Sequence, residues 1–117
     1  MVMANQAQQG DIVWINMDPQ AGHEQSGRRP AVVISNNVYN DFSHGLAMVC
    51  PITGTDRGSP LQIKIEKIGK ISGFIMCDQA RVLDIIARNA EFEEQLPEDL
   101  LHEVVDVVIG MIEIISR

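Results

Sequence analysis

Aromatic residues are scarce in this 117-residue sequence: one Trp, one Tyr and three Phe, 4% of the chain. A core built from so few rings must be aliphatic, filled by Val, Ile, Leu and Met. Cysteine is nearly absent as well. Cys50 and Cys77 lie 27 positions apart and show no metal-ligand spacing, so they read as two buried thiols in a reducing cytoplasm. No apolar run approaches the roughly 18 residues that a membrane helix requires. The opening MVMANQAQQ is polar, so no secretory leader is expected. Residues 1–9 are expected to be flexible and the protein to be cytoplasmic, without membrane contact. Disorder of the whole is excluded, because hydrophobic residues make up 45% of the chain.

Basic residues are missing from one place in particular. Residues 91–117 carry eight acids (Glu91, Glu93, Glu94, Glu98, Asp99, Glu103, Asp106, Glu113) and one base, Arg117. The first ninety residues are balanced, so the net charge of -7 belongs to the C-terminal segment. Broad coating of nucleic acid needs a basic face and is disfavoured. A local phosphate-binding site in the first ninety residues remains compatible with the charge.

What is present is a series of short apolar runs broken by turn residues. Ile12–Ile15, Ala31–Ser35, Leu46–Thr53, Leu61–Ile65, Gly73–Cys77 and Val82–Ile86 read as six strands. So many strands in so short a span imply a small, strongly bent barrel with one helical turn near Asn37–Phe42. Residues 97–115 change to helical spacing, with Leu100, Leu101, Val104, Val105, Val108, Met111, Ile112 and Ile115 on one stripe. Pro97 suits the first helical position, and Glu98 and Asp99 favour the positive end of the helix dipole. The stripe is wide for a helix covering a small barrel, which points to self-association or to a deep groove that receives it. No internal repeat or low-complexity tract interrupts this single domain, taken as residues 1–117.

The polar stretch Asp18–Pro30 between two strands holds glycines, His23, Glu24, Gln25 and the pair Arg28–Arg29. These residues suit phosphate binding and proton transfer, although a plain solvated hairpin loop has a similar composition. Arg29, fixed by the following Pro30, projects from a rigid position, as a phosphate clamp should; pairing with Glu24 is the simpler alternative. Thr53 ends a strand before Gly54 and either reaches a ligand or closes a turn. Asp78 and Gln79 follow another strand, where an aspartate caps a turn or lines a cleft. His44 and His102 read as structural.

Together the segments Gly10–Trp14, Asp18-Pro19, Gly22–Ser35, Pro51–Thr53 and Cys77–Arg81 resemble the MazF/PemK/Kid toxins of bacterial toxin–antitoxin systems, over roughly residues 10–115. The resemblance implies a mainly β fold: a small SH3-like (PemK/CcdB-like) barrel with a short helix and a C-terminal α-helix, paired as a homodimer. It implies a toxin endoribonuclease (mRNA interferase) that cleaves single-stranded RNA, chiefly mRNA, at specific sequences without metal or cofactor. The products would be a 2′,3′-cyclic phosphate and a free 5′-hydroxyl, and a cognate antitoxin with a disordered acidic tail would block the site. Arg29 and Thr53 fall on the family's key arginine and threonine, with His23 and Asp78 as acid–base or orienting candidates. Glu24, Gln25, Arg28 and Gln79 complete the set as RNA-binding residues, and Glu24 is equally suited to bracing its loop. The Kid branch has histidine at position 23 and, two residues before its aspartate, an arginine; here that position is Met76, so the Kid set is incomplete. The RNA sequence recognised would depend on the loops around 53–60 and 64–72.

Two other readings stand beside this one. Gyrase-binding toxins share the barrel and cut no RNA, but their last helix ends in Trp-Gly-Ile, whereas this chain ends Ile114-Ile115-Ser116-Arg117 and its one tryptophan is Trp14. A noncatalytic RNA-binding barrel would usually display aromatic platforms, and Trp14, Tyr39, Phe42, Phe74 and Phe92 form no paired motif.

Overall fold

A computed structural model describes residues 7–19 and 21–116. Seven strands and two helices follow in the order β1 (Asp11–Asn16), β2 (Arg28–Val33), α1 (Asn37–Phe42), β3 (Leu46–Thr53), β4 (Gln62–Ile68), β5 (Ile71–Met76), β6 (Arg81–Asp84), β7 (Glu91–Gln95) and α2 (Glu98–Ile112). A single 3-10 turn, Cys77–Gln79, joins β5 to β6. The strands run β4-β5-β3-β2-β1-β7, and β6 pairs with β3 off that path. All pairings are antiparallel, and the sheet curls into a half-barrel closed by α2.

The curl originates in β3. Its first half, Leu46–Val49, pairs with β6, whereas Ile52 and Thr53 pair with Ile75 and Phe74 of β5. Pro51 sits at the change of partner, and with no N–H it has no bond to give to either ladder. The strand alternation explains the near-continuous apolar runs. Ile12, Val32, Cys50 and Ile52 point to one core with Ile65, Ile75 and Val104 of α2. Val13, Ile15, Ala31, Val33 and Val49 point to a second core on the opposite face.

The expected short helix is α1, capped by the Asn36 side chain, which accepts from the Tyr39 amide at 2.9 Å. Four expectations are corrected. There are seven strands, because Glu91–Gln95 pairs with β1 along its edge. The C-terminal helix is shorter than 97–115: Pro97 caps it with its carbonyl accepting from Leu101, and the backbone turns extended at Glu113. Residues 7–9 are anchored, since the Gln9 amide donates to Asn37 Oδ1, its side chain donates to the Ile34 carbonyl, and Ala7 is buried. The remainder of the expected flexible start, residues 1–6, lies outside the described residues. Finally, Arg28 and Arg29 belong to β2 rather than to the loop before it.

Of the apolar helix stripe, Val104 is fully buried, but Ile109, Met111 and Ile112 are exposed, as are Ile114 and Ile115 beyond the helix end. Among the described residues, no helix is long and apolar enough to cross a membrane.

Candidate functional site

Arg29 and Arg28 are consecutive residues of β2, opposite Ile15 and Asn16 of β1, so their side chains leave on opposite faces of the sheet. Arg29 donates from Nε to the Ser26 carbonyl at 2.9 Å and from Nη1 to the Ile52 carbonyl at 3.3 Å. The guanidinium is thus held by the β1–β2 loop on one side and by β3 on the other, one residue before Thr53. Glu24, the simpler partner weighed for Arg29, is engaged elsewhere. Thr53 is 5% exposed, and its Oγ1 accepts from the Thr55 amide at 3.3 Å, which leaves the hydroxyl proton available. Gly73 permits this placement. Its φ is +132°, and a Cβ there would lie 2.5 Å from the Thr53 carbonyl oxygen.

Arg29 and Thr53 share a cavity of about 300 Å³ whose walls include Trp14, Pro30, Gly54, Lys70 and Ser72. A free hydroxyl proton, a planar fork of donors and an ammonium in one concavity suit an oxyanion such as phosphate.

A second, smaller cavity of about 160 Å³ is lined by Glu24, Gln25, Asp78, Gln79 and Arg81. Gln79 clasps the β1–β2 loop: its Oε1 accepts from the Gln25 amide at 3.0 Å and its Nε2 donates to the His23 carbonyl at 3.2 Å. Arg81 donates from Nη2 to the Met17 carbonyl at 2.8 Å and lies 3.5 Å from Glu24 Oε1 through Nη1. Glu24 also accepts from the Ala21 amide at 3.2 Å, so the bracing role is realised. Arg88 ties the loop base to the Asn16 and Asp18 carbonyls at 3.1 and 2.6 Å. The two cavities are joined through the chain itself, because Gln25 lines one and its neighbour Ser26 holds Arg29.

The sequence candidates are therefore only partly assembled in one place. Arg29 and Thr53 lie together. Glu24, Gln25, Asp78 and Gln79 lie together next door. The exposed His23 lines neither cavity and is tethered to the second through its backbone. Among the described residues, the Asp78 carboxylate and the His23 imidazole have no hydrogen-bond partner. Arg28 stands apart, in an ion pair with Glu91 of β7. Sequence reasoning did not single out Trp14, Lys70 or Arg88 as site residues. Lys70 had been visible only as part of a loop thought to shape recognition.

Beneath Asp78 lie the two thiols, both fully buried. Burial, with the Asp78 charge adding to it, pushes the Cys77 thiol up to about 11. Burial followed by the neighbouring Cys77 and Asp78 raises Cys50 as well. Both are therefore protonated and unreactive at neutral pH.

Residues 8–112 match the family described as PemK-like, MazF-like toxin of type II toxin-antitoxin system. The chain is 32% identical over 101 residues to the endoribonuclease PemK of Escherichia coli, covering 83% of this chain and 75% of that protein. It is 33% identical over 104 residues to the endoribonuclease toxin MazF of Escherichia coli K12, covering 86% and 92%. A crystal structure of MazF from Deinococcus radiodurans superposes with a TM-score of 0.84 at 39% identity, covering 91% of this chain and 96% of that one. A MazE-MazF crystal structure from the same organism gives 0.79 at 38% identity, covering 92% and 96%.

Proposed function

The chain belongs to the PemK-like, MazF-like toxin family, and on that premise we propose that it is a toxin endoribonuclease that cuts single-stranded RNA, chiefly mRNA, at a specific sequence in the cytoplasm. The observation that carries the proposal is the shared cavity of Arg29 and Thr53. In the proposed reaction a ribose 2′-hydroxyl loses its proton to a base, and its oxygen bonds to the adjacent phosphorus. The bond from phosphorus to the 5′-oxygen of the next nucleotide breaks, and that oxygen takes a proton from an acid. The nucleophile belongs to the substrate, so the step needs no metal to generate it.

Arg29 meets the charge that grows on the phosphoryl oxygens, and Thr53 donates its hydroxyl to one of them. A guanidinium stays protonated and makes a poor base, so proton transfer falls to His23 and Asp78, whose side chains are free. Gln79 holds their two segments together, while Glu24, Gln25 and Arg81 shape the adjoining cavity for a neighbouring nucleotide. Arg28, already paired with Glu91, contributes at most to long-range attraction.

An antitoxin with a disordered acidic tail would lie across Arg29 and Lys70 and exclude RNA by charge and by volume. The MazE-MazF crystal structure supports an antitoxin partner. The exposed Ile109, Met111 and Ile112 support a two-fold homodimer, expected at about 26 kDa from a 13.0 kDa chain.

The test is incubation with a long RNA of known sequence in EDTA, followed by end mapping. Fragments ending in 2′,3′-cyclic phosphate and beginning with 5′-hydroxyl, cut at a recurrent short sequence, are the expected result. Intact RNA, or cleavage that EDTA abolishes, refutes the proposal.

A further inference from the structure

Two walls of the Arg29–Thr53 cavity are unused by the chemistry above. The first is Trp14 on β1. Its indole N–H is spent on Glu93 Oε1 at 2.9 Å, and across the strand it faces Pro30. A ring held at its edge and against its neighbour has little freedom to swing. What it brings to the cavity is an indole surface, packed in part against the core, whose one donor is already satisfied. Such a surface stacks a nucleobase of any identity.

The second wall is Lys70, at the tip of the β4–β5 hairpin. Its side chain is exposed and has no ion pair among the described residues, unlike Arg28, Arg81 and Lys64, each of which has a carboxylate partner. The tip is positioned by Gly69, whose φ is +59°; a Cβ there would come within 2.6 Å of the Glu94 carboxylate. The absent side chain lets the hairpin rest on β7 and brings Lys70 to the rim of the cavity.

We propose that Trp14 and Lys70 form a one-nucleotide subsite beside Arg29 and Thr53. The base next to the scissile phosphate stacks on the indole, and its own phosphate meets the Lys70 ammonium. The inference rests on the ribonuclease reading and extends it. The subsite adds affinity and fixes the strand's path, while leaving the base at that position unselected. Neither residue touches the transferred proton, so both are positioning residues.

Trp14 is the only tryptophan, so its emission reports on this subsite alone. The probe is a single-stranded 2′-fluoro RNA carrying the mapped cleavage sequence, which lacks the attacking hydroxyl. Binding is followed by anisotropy of an end label and stacking by Trp14 emission, at several salt concentrations. The expected result is quenching with the same midpoint as the anisotropy. Trp14→Leu should weaken binding by about 5- to 150-fold, the range for losing one stacked base, and Trp14→Phe should retain most of it. Lys70→Gln should reduce the slope of log affinity against log salt by about 0.7, the value for one phosphate contact on a single strand. Lys70→Arg should restore the slope, and Lys67→Gln, on the same hairpin, should leave it unchanged. Binding without change in Trp14 emission, or a Lys70→Gln slope equal to wild type, overturns the subsite while an RNA-cutting wild type keeps the ribonuclease reading. A wild type that neither binds the probe nor cuts RNA overturns both.

Discussion

Replacing Arg29 by lysine isolates geometry from charge. In the folded protein two of the five guanidinium N–H groups are committed to backbone carbonyls, Ser26 at 2.9 Å and Ile52 at 3.3 Å. The other three have no partner among the described residues, and Arg29 lines the cavity shared with Thr53. A lysine ammonium is a point charge on a flexible stem. It cannot hold both carbonyls and still present a planar pair of donors to a phosphoryl oxygen. Loss of one donor aimed at developing charge typically costs 10²–10³ in rate, or about 2.7–4 kcal/mol. Arg29→Lys should therefore reduce single-turnover cleavage by about 10² or more. The two stranded carbonyls should cost stability of only about 1–3 kcal/mol, because the side chain is partly exposed. Rapid-quench cleavage at saturating enzyme measures the first quantity, and urea unfolding followed by circular dichroism measures the second. An Arg29→Lys protein that folds and cleaves at the wild-type rate refutes the mechanism. A variant that is slow only because it is unfolded at assay temperature will be recognised by its lost unfolding transition.

Three further outcomes follow from the site's surroundings. Gly73→Ala forces a Cβ to within 2.5 Å of the Thr53 carbonyl at φ +132°, so it should destabilise the fold by at least about 1–3 kcal/mol and slow cleavage through a displaced Thr53; thermal melts and cleavage rates check both. Gln79→Ala removes both bonds that clasp the β1–β2 loop, so the Gln25 amide should exchange hydrogen about 5-fold faster or more, whereas an unchanged rate would show that the clasp is not what holds the loop. For the thiols, the folded pKa lies above the unfolded value of about 9, so the unfolded chain loses protons first as pH rises; their contribution is intact below about pH 9 and decays above it, until about 11 for Cys77 and to higher pH for Cys50, and a Cys50→Ala/Cys77→Ala protein should show a flatter urea midpoint above pH 9.

The apolar runs made the barrel strands legible because both faces of β1, β2 and β3 are buried, so their residues are apolar with little interruption. β7 was hidden for the opposite reason. Its sequence EFEEQ is mostly charged, Phe92 is 64% exposed, and only pairing with β1 makes it a strand. The helix end was misjudged because Ile114 and Ile115 continue the apolar period after the backbone has turned extended. Local spacing reports side-chain character and is blind to where a chain turns away. For the site, Arg29 beside Pro30 and Thr53 before Gly54 were each open to a plain structural reading, and the family resemblance is what singled them out. The split into two cavities was not readable. It depends on the opposite facing of Arg28 and Arg29, on the reach of Gln79 across 54 positions to Gln25, and on Arg81 reaching Met17 across 64. The position of Lys70 was equally hidden, since it follows from how the Gly69 turn meets Glu94 on a distant strand.

The charged strand that escaped detection has a consequence for the protein's behaviour in a crowd. β7 is the last strand of the sheet, so its outer row of backbone N–H and C=O groups has no strand beside it. Such a row is a template for another chain, and two copies meeting edge to edge at β7 would join their sheets into one. Glu91, Glu93 and Glu94 bring like charges face to face when two such edges approach, and Glu94 also supports the hairpin tip that leans over this flank. The acidity of β7 thus opposes pairing at the open flank of the barrel. Glutamine at all three positions would remove that repulsion, together with the Arg28–Glu91 ion pair, and leave the β7 edge open to pairing with another chain.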